Sequence, residues 1–292
     1  MLYDIIAAGG SMTFSIVACD LKEQAWGVAV ASKFPAVGAV VPWAQAEAGA
    51  VATQSFSNTL FGPHGLALMG KGLSAQKTLE QLLEDDVDRE LRQVGLVDAK
   101  GGSATFSGSR CFAWAGGIAG KGYAIQGNIL ASGKVVPAME KAFLKTKGNL
   151  PTRLYAALLA GDRAGGDKRG RQSAAIYVAK PRASYGGFID RWLDYRVDDH
   201  EDPVKRLGEL LEMHNLYFGK SPQSDRVALK GKALKQMTAL LAGAGYLKNE
   251  KEFTAAFNEL IGNENFEERA DPQARWIDRP VLKYLTKKFG KG

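Results

Sequence analysis

Two short apolar runs near the start of the chain, Thr13–Cys19 and Trp26–Ser32, constrain the fold more than any other feature. Both are rich in small and β-branched residues, the composition of buried strands. Asp20-Leu21-Lys22-Glu23-Gln24, with Ala25, is all that separates them. A parallel pair needs a crossover of about a dozen residues or more, so these two runs must form an antiparallel hairpin. Runs of the same kind follow at Gly49–Gln54, Arg92–Asp98, Ala104–Ser107, Tyr123–Gly127 and Ser173–Ala179, with turn residues between them.

Helical periodicity comes in blocks. Ser74–Leu83 places Leu79, Leu82 and Leu83 on one face, with Ser74 positioned to cap its start. Val135–Lys145 and Pro151–Ala160 form a second pair, parted by Gly148-Asn149. Strand pairs, helix pairs and strands again predict an α+β layered sandwich with two sheets at its centre. A doubly wound parallel sheet does not fit, because the first strands lie too close together. Pro203–Tyr217 reads as a further helix, broken by Gly219-Lys220-Ser221-Pro222. Beyond it come short amphipathic helices at Lys230–Ala242, Glu252–Ile261 and Pro280–Lys288. The expected domains are therefore residues 1–11 as an extra segment, 12–221 as the sandwich and 222–292 as a small helical domain.

Charge narrows the partners. The net charge is +7, and the last 71 residues hold 13 Lys and Arg against 9 Asp and Glu. Acids are mixed throughout and no basic-aromatic pattern occurs, so neither nucleic acid nor a membrane is an expected partner. No apolar run approaches the roughly 18–20 residues of a membrane helix. An acid near the start and a short apolar stretch argue against a signal peptide, so the expected location is cytoplasmic. The two cysteines, Cys19 and Cys111, read as free thiols. His64, His200 and His214 lack metal-ligand spacing, and no metal or other cofactor is expected. His64 reads as a helix-start residue, and Trp43 and Trp114 as core or interface residues.

Met12-Thr13 raises the catalytic question. Initiator methionine is normally trimmed before a residue as small as threonine. A start at Met12, or cleavage after it, would give Thr13 a free α-amine beside its hydroxyl. With a pKa of about 8, that amine serves as a base near neutral pH and activates the hydroxyl without a histidine. In a bacterial gene, Ala8-Gly9-Gly10 is encodable by codons running through AGGAGG, a ribosome-binding sequence just ahead of Met12. The plain alternative is a β-branched residue opening a strand.

Several ordered stretches carry a resemblance. They are Met12-Thr13-Phe14-Ser15-Ile16-Val17-Ala18, Gly27-Val28-Ala29-Val30-Ala31-Ser32, Val37 to Ala44, Gly49 to Gln54, Gln126-Gly127-Asn128, Ala164 to Ala175 and Arg196 to His200. Over about residues 12–218 the chain resembles the N-terminal nucleophile (Ntn) hydrolases, and among them the branch called domain of unknown function 1028. The resemblance implies a four-layer αββα sandwich, two antiparallel sheets between helical layers, with Thr13 as nucleophile. It implies an amidohydrolase that cleaves a small amide or short peptide through an acyl-enzyme. Ser32 stands where proteasome-type members carry an acid, and Lys33 does not align with their lysine; both are assigned to substrate binding.

The loop Gly165-Gly166-Asp167-Lys168-Arg169-Gly170-Arg171-Gln172-Ser173 sets glycines, an acid and three cations before a strand. As a site loop, Asp167 would hold the Thr13 ammonium and Ser173 would join the proton relay. Arg169 or Arg171 would clamp a substrate carboxylate. As an ordinary loop it is a solvated charged turn. Asn128 is the expected oxyanion donor, with Gln54 and Asn58 as further amides at the substrate; the alternative is that they satisfy loop backbone. Asp198-Asp199-His200 suits capping of the following helix.

From about Pro222 the chain resembles a peptidoglycan-binding module that follows this hydrolase domain in some relatives. The resemblance rests on Leu234-Lys235-Gln236-Met237 through Gly245-Tyr246 and on Ile277-Asp278-Arg279-Pro280-Val281-Leu282. It adds a peptidoglycan fragment to the expected partners, and the assembly expected is a homodimer. The rival reading is a non-catalytic Ntn-like scaffold that binds a glycan or peptide.

Overall fold

The computed structural model describes residues 13–219, 221–247 and 252–290. The extra N-terminal segment, Met12 and the expected cleavage point lie outside the described residues. Strands β1 (Thr13–Asp20) and β2 (Ala25–Ser32) form the expected antiparallel hairpin, with Thr13 opposite Ser32 and Asp20 opposite Ala25. The Asp20 carboxylate closes the turn by accepting the N–H groups of Lys22 and Glu23 at 3.0 and 3.2 Å.

The two remaining ingredients of the core are sheets. The first has six antiparallel strands, in the order β10-β9-β2-β1-β8-β7. It adds β7 (Gly116–Gly120), β8 (Tyr123–Asn128), β9 (Ser173–Ala179) and β10 (Arg191–Val197) to the hairpin. The second is a four-stranded antiparallel sheet in chain order, β3 (Pro42–Gln45), β4 (Gly49–Ser55), β5 (Arg92–Asp98) and β6 (Ser103–Ser107). Side chains alternate along each strand. On β1 the inward Val17 and Cys19 join Val28, Ala50, Ala52 and Val97 in an apolar core between the sheets. The opposite face of β1 and β2 is covered by helix α4, where the side chains of Phe14 and Met139 both close on Gly161.

Helices α1 (Phe61–Gly70) and α2 (Ala75–Glu84) pack on the four-stranded sheet through Phe61, Leu66, Leu79 and Leu82. Helices α3 (Val135–Lys145) and α4 (Leu150–Arg163) pack against each other on the six-stranded sheet side. Ser74 caps α2 as expected, its hydroxyl accepting the Lys77 N–H at 3.3 Å. Asn149 caps α4 in the same way through the Thr152 N–H.

Four elements of the first unit were not legible in the pattern. Helix α1 contains Gly62, Pro63 and Gly65, which depress helix propensity. It forms because Gly62 lies flat against the Trp43 ring, where a Cβ would come within 2.2 Å. Strand β7, Gly-Gly-Ile-Ala-Gly, has no alternation to read. Strand β3 is four residues long, and β10 is an edge strand carrying Arg191, Asp194 and Arg196, the polar signature that blunts an open edge.

The chain divides into two compact units, Met1–Glu209 and Leu210–Gly292. The division lies within α5 (Pro203–Phe218), upstream of the break expected near Pro222. The last turn of α5 belongs to the second unit for a clear reason. The buried Arg269 guanidinium donates to the carbonyls of Asn215 and Leu216 at 2.9 and 2.6 Å, and Tyr217 stacks on Phe266. The unit is completed by α6 (Gly231–Gly243), α7 (Phe253–Asn263), α8 (Arg279–Phe289) and a ribbon of β11 (Arg226–Ala228) with β12 (Trp276–Asp278). Met237, Phe257, Leu260, Ile277 and Leu285 form its core. Among the described residues no helix is long and apolar enough to cross a membrane.

Candidate functional site

The interior of the sandwich is apolar at one end and polar at the other, and the polar end is where β1 begins. In the six-stranded sheet, Ser173, Ser32, Thr13 and Asn128 stand in one cross-strand row over four neighbouring strands. In the opposing sheet, Gln54, Gln93 and Ser107 form a matching row. All but Ser107 are buried. Burying so many polar groups is costly unless each is hydrogen-bonded, and here they satisfy one another.

The Thr13 hydroxyl lies 3.1 Å from that of Ser32, and the Thr13 carbonyl accepts the Gln54 side-chain amide at 3.1 Å. Gln54 Nε2 also donates to Gln93 Oε1 at 2.8 Å, and the same oxygen accepts from Asn128 Nδ2 at 2.9 Å. Gln93 Nε2 in turn donates to the Gly127 carbonyl at 2.8 Å and to Ser107 Oγ at 2.7 Å. One row deeper, Ser15 Oγ donates to Gln54 Oε1 and accepts from Gln126 Nε2, both at 2.6 Å. Space for Gln126 exists because Gly95 faces it; a Cβ there would lie 2.1 Å from Gln126 Oε1.

A cavity of about 440 Å³ borders this end of the sheet, where Ser32, Ser173, Asp167, Arg171, Glu201 and Phe14 contribute to its wall. The Gly165–Ser173 loop forms much of that wall, and positive φ at Gly165, Gly166 and Gly170 (112°, 48° and 117°) lets it turn tightly. Asp167 is buried and accepts the Lys33 N–H at 2.7 Å and the Arg169 N–H at 2.9 Å. Burial pushes its carboxyl up, against the pull of those hydrogen bonds and of the Arg169 guanidinium. Arg171 makes a bidentate pair with Asp162 at 2.7 and 2.8 Å. Ser173 Oγ donates to the Phe34 carbonyl and accepts the Val37 N–H at 3.1 Å.

The structure therefore brings Thr13, Ser32, Asn128, Ser173 and Gln54 to one end of the sandwich and sets Asp167 and Arg171 around the adjoining cavity. Lys33 meets Asp167 through its backbone, and its side chain is exposed. Arg169 pairs with Asp167 at 3.5 Å. Asn58 stands apart. It lines a separate cavity of about 440 Å³ with His64 and Asp86, and its amide donates to Asp86 at 2.9 Å. Asp198, Asp199 and His200 serve as closures: His200 Nδ1 accepts the Asp202 N–H, and Asp199 accepts from Gln172. Gln93 and Ser15 escaped the sequence reading. Their signal was a polar residue at an inward position of an otherwise apolar strand, reinforced for Ser15 by Thr13 two places before it.

A third cavity, of about 310 Å³, has Phe34, Val37, Ser55, Phe56 and Arg92 in its wall. Arg92 is clamped there by Asp86 at 2.9 Å and the Phe56 carbonyl at 2.8 Å. Burial pushes the Asp86 carboxyl up, but hydrogen bonds from Arg92, Asn58 and the Asp88 N–H outweigh it and hold it below its ordinary range. A depressed folded-state pKa contributes stability above the ordinary carboxylate value of about 4, lost as pH falls through the folded value. Asp86→Asn is accordingly expected to cost about 1–3 kcal/mol at pH 7. The gap in melting temperature should close as the pH is lowered below about 4. A gap that stays constant from pH 7 to pH 3 would show that the charge of Asp86 is irrelevant.

Fold and site together define a protein built on two facing antiparallel sheets, with a buried amide and hydroxyl cluster where its central strand starts. The chain belongs to the family of unknown function DUF1028, which it matches over residues 13–207. Residues 217–285 match a domain described as "Putative peptidoglycan binding domain". A crystal structure of a DUF1028 protein from Silicibacter pomeroyi is similar at 26% identity and a TM-score of 0.64. The similarity covers 77% of this chain and 92% of that one. No curated protein matches the chain.

Proposed function

We propose that the first unit is an Ntn-type amidohydrolase whose nucleophile is Thr13, and that its sheets and covering helices constitute the αββα sandwich of that superfamily. One observation carries the reading. Thr13 opens the central strand of the six-stranded sheet, its hydroxyl 3.1 Å from Ser32 Oγ and its backbone fixed by Gln54. The family match begins at the same residue.

In the proposed reaction the free α-amine of Thr13 takes the Oγ1 proton, and the oxygen attacks the amide carbon. The amine then returns the proton to the departing nitrogen, leaving an ester on Thr13. A water molecule, deprotonated by the same amine, hydrolyses that ester. Ser32 adjoins the hydroxyl and joins the proton relay. Asn128, opposite Thr13 in the sheet, is the proposed donor to the developing oxyanion. Thr13 is buried in the full-length chain, so the reading requires removal of the residues before it.

Intact mass spectrometry of the protein from its natural source tests this directly. A chain beginning at Thr13 is expected, and a stable product that retains Met1 would sink the reading, because its α-amine is blocked. The peptidoglycan-type match at residues 217–285 favours one addition. We assign the second unit to a glycan or peptide ligand, and that assignment also serves the rival reading of a non-catalytic scaffold.

A further inference from the structure

Among the described residues of the second unit, a groove of about 550 Å³ between α6 and α8 carries a strong charge. Arg279, Lys283 and Lys287 recur every fourth residue on α8 and so share one face, about 6 Å apart along the axis. Lys232, at the start of α6, lines the same groove, and among the described residues no acid does. Several acids of this unit pair elsewhere, among them Asp278 with Arg269, Asp271 with Arg275 and Glu264 with Lys288. The floor is different in kind. Val227 and Leu282 supply apolar surface, and Gln236 Nε2 donates to Thr286 Oγ1 at 2.9 Å.

We propose that this groove binds the acidic peptide portion of a peptide-bearing glycan, with peptide carboxylates on the α8 cations and the peptide's apolar side chains on Val227 and Leu282. Three regularly spaced cations suit a chain that carries several anions better than a single small anion. The apolar floor, with an amide and a hydroxyl between the charges, suits peptide better than a bare polyphosphate. Charge complementarity fixes the choice of occupant. The proposal rests on assigning the second unit to a glycan or peptide ligand and is independent of Thr13.

The test uses the full-length chain and purified peptidoglycan sacculi, acid-stripped of phosphate-containing secondary polymers, in a co-sedimentation assay. The expected result is binding that weakens about tenfold between 50 and 500 mM KCl, as screening of exposed charges requires. Lys283→Glu combined with Lys287→Glu should lower affinity tenfold or more, and the Lys283→Gln, Lys287→Gln pair should lower it less. Lys235→Glu, an exposed change on α6 outside the groove, should leave affinity unchanged. Sacculi whose carboxylates have been amidated should no longer bind. All five lysine substitutions should keep the parental melting temperature, since these side chains are exposed.

Failure to bind sacculi at all would overturn the ligand assignment of the second unit and this proposal with it. Binding that survives the double Glu variant, or carboxylate amidation, would overturn the groove alone. Binding only to unstripped sacculi would place the ligand among phosphate polymers and overturn the peptide assignment.

Discussion

Replacing Thr13 by Ala in a chain that begins at residue 13 is expected to lower amide turnover by on the order of 10³-fold or more, the scale seen when a covalent nucleophile is removed. Thr13→Ser keeps both the hydroxyl and the α-amine and should retain most of that activity. A third variant separates the two groups: an N-terminal Met-Lys extension, whose Met is not trimmed before so large a residue, leaves the Thr13 hydroxyl in place but converts its amine to an amide. If the amine is the base, the extended chain should fall as far as Thr13→Ala, although its hydroxyl is untouched. The measurement is hydrolysis of a panel of small acyl amides, paired with mass spectrometry after an electrophilic acylating probe. The probe should add its mass to the Thr13 peptide only when the chain starts there. Folding is not expected to confound the comparison, because Thr13→Ala removes one hydroxyl contact, to Ser32, worth about 1 kcal/mol. Turnover by Thr13→Ala at the parental rate would refute the nucleophile, and equal turnover by the extended chain would refute the amine.

The rate at which such an ester turns over also depends on where charge sits around it. Asp167 accepts the Lys33 and Arg169 N–H groups, and Arg171 is held by Asp162. Both side chains thus help to fix the Gly165–Ser173 loop. That loop becomes a rigid wall of the cavity, which is the condition for holding a substrate in a reactive orientation.

How much of this was legible follows from what each residue's neighbours are. The hairpin of β1 and β2 was readable because chain length alone forbids any other pairing, and Ser74 and the helices around it were readable because capping and periodicity are local. Helix α1 was not, since Gly62 and Pro63 argue against it locally and the Trp43 ring that Gly62 meets is 19 residues away. The candidate site divides the same way. Thr13, Ser32, Asn128 and Ser173 were each named from sequence, but their standing in one row depends on strand order, with β1 between β2 and β8. Asn58 was grouped with Gln54 because the two are close in sequence; Gln54 points between the sheets, whereas Asn58 lies past the end of β4 and turns to Asp86. Gln93 shows in the sequence only as a polar residue on an apolar strand; its place in the site comes from partners on other strands, four of them within 3 Å.

Those four partners make Gln93 the position with the largest expected effect on stability. Gln93→Ala removes the acceptor of Gln54 and Asn128 and the donor to Gly127 and Ser107. Gln54 keeps the Thr13 carbonyl, and Ser107 is only partly buried, so those two are compensated in part. The Asn128 amide and the Gly127 carbonyl lose partners in a buried setting, at about 1–3 kcal/mol each, and the lost side-chain volume adds a cavity term. The sum is about 3–6 kcal/mol, which lowers the melting temperature by on the order of 10 °C or more. Gln93→Leu fills nearly the same volume and leaves the same groups unpaired, so the two variants divide the loss between hydrogen bonding and packing. If Leu is almost as damaging as Ala, the amide network is what holds this end of the sandwich. If Leu restores parental stability, packing alone does. No side chain of the network titrates in the neutral range, so in the full-length chain the loss should be the same at pH 6 and pH 8, unlike that of Asp86→Asn under acid. A double-mutant cycle with Asn128→Ala completes the argument: the two positions share a bond of 2.9 Å, so their effects should fall short of additive by about 1 kcal/mol or more. Asn128 is also the proposed oxyanion donor. Gln93→Ala should therefore lower turnover at temperatures where the protein is still fully folded, and an undiminished rate there would separate the network from catalysis.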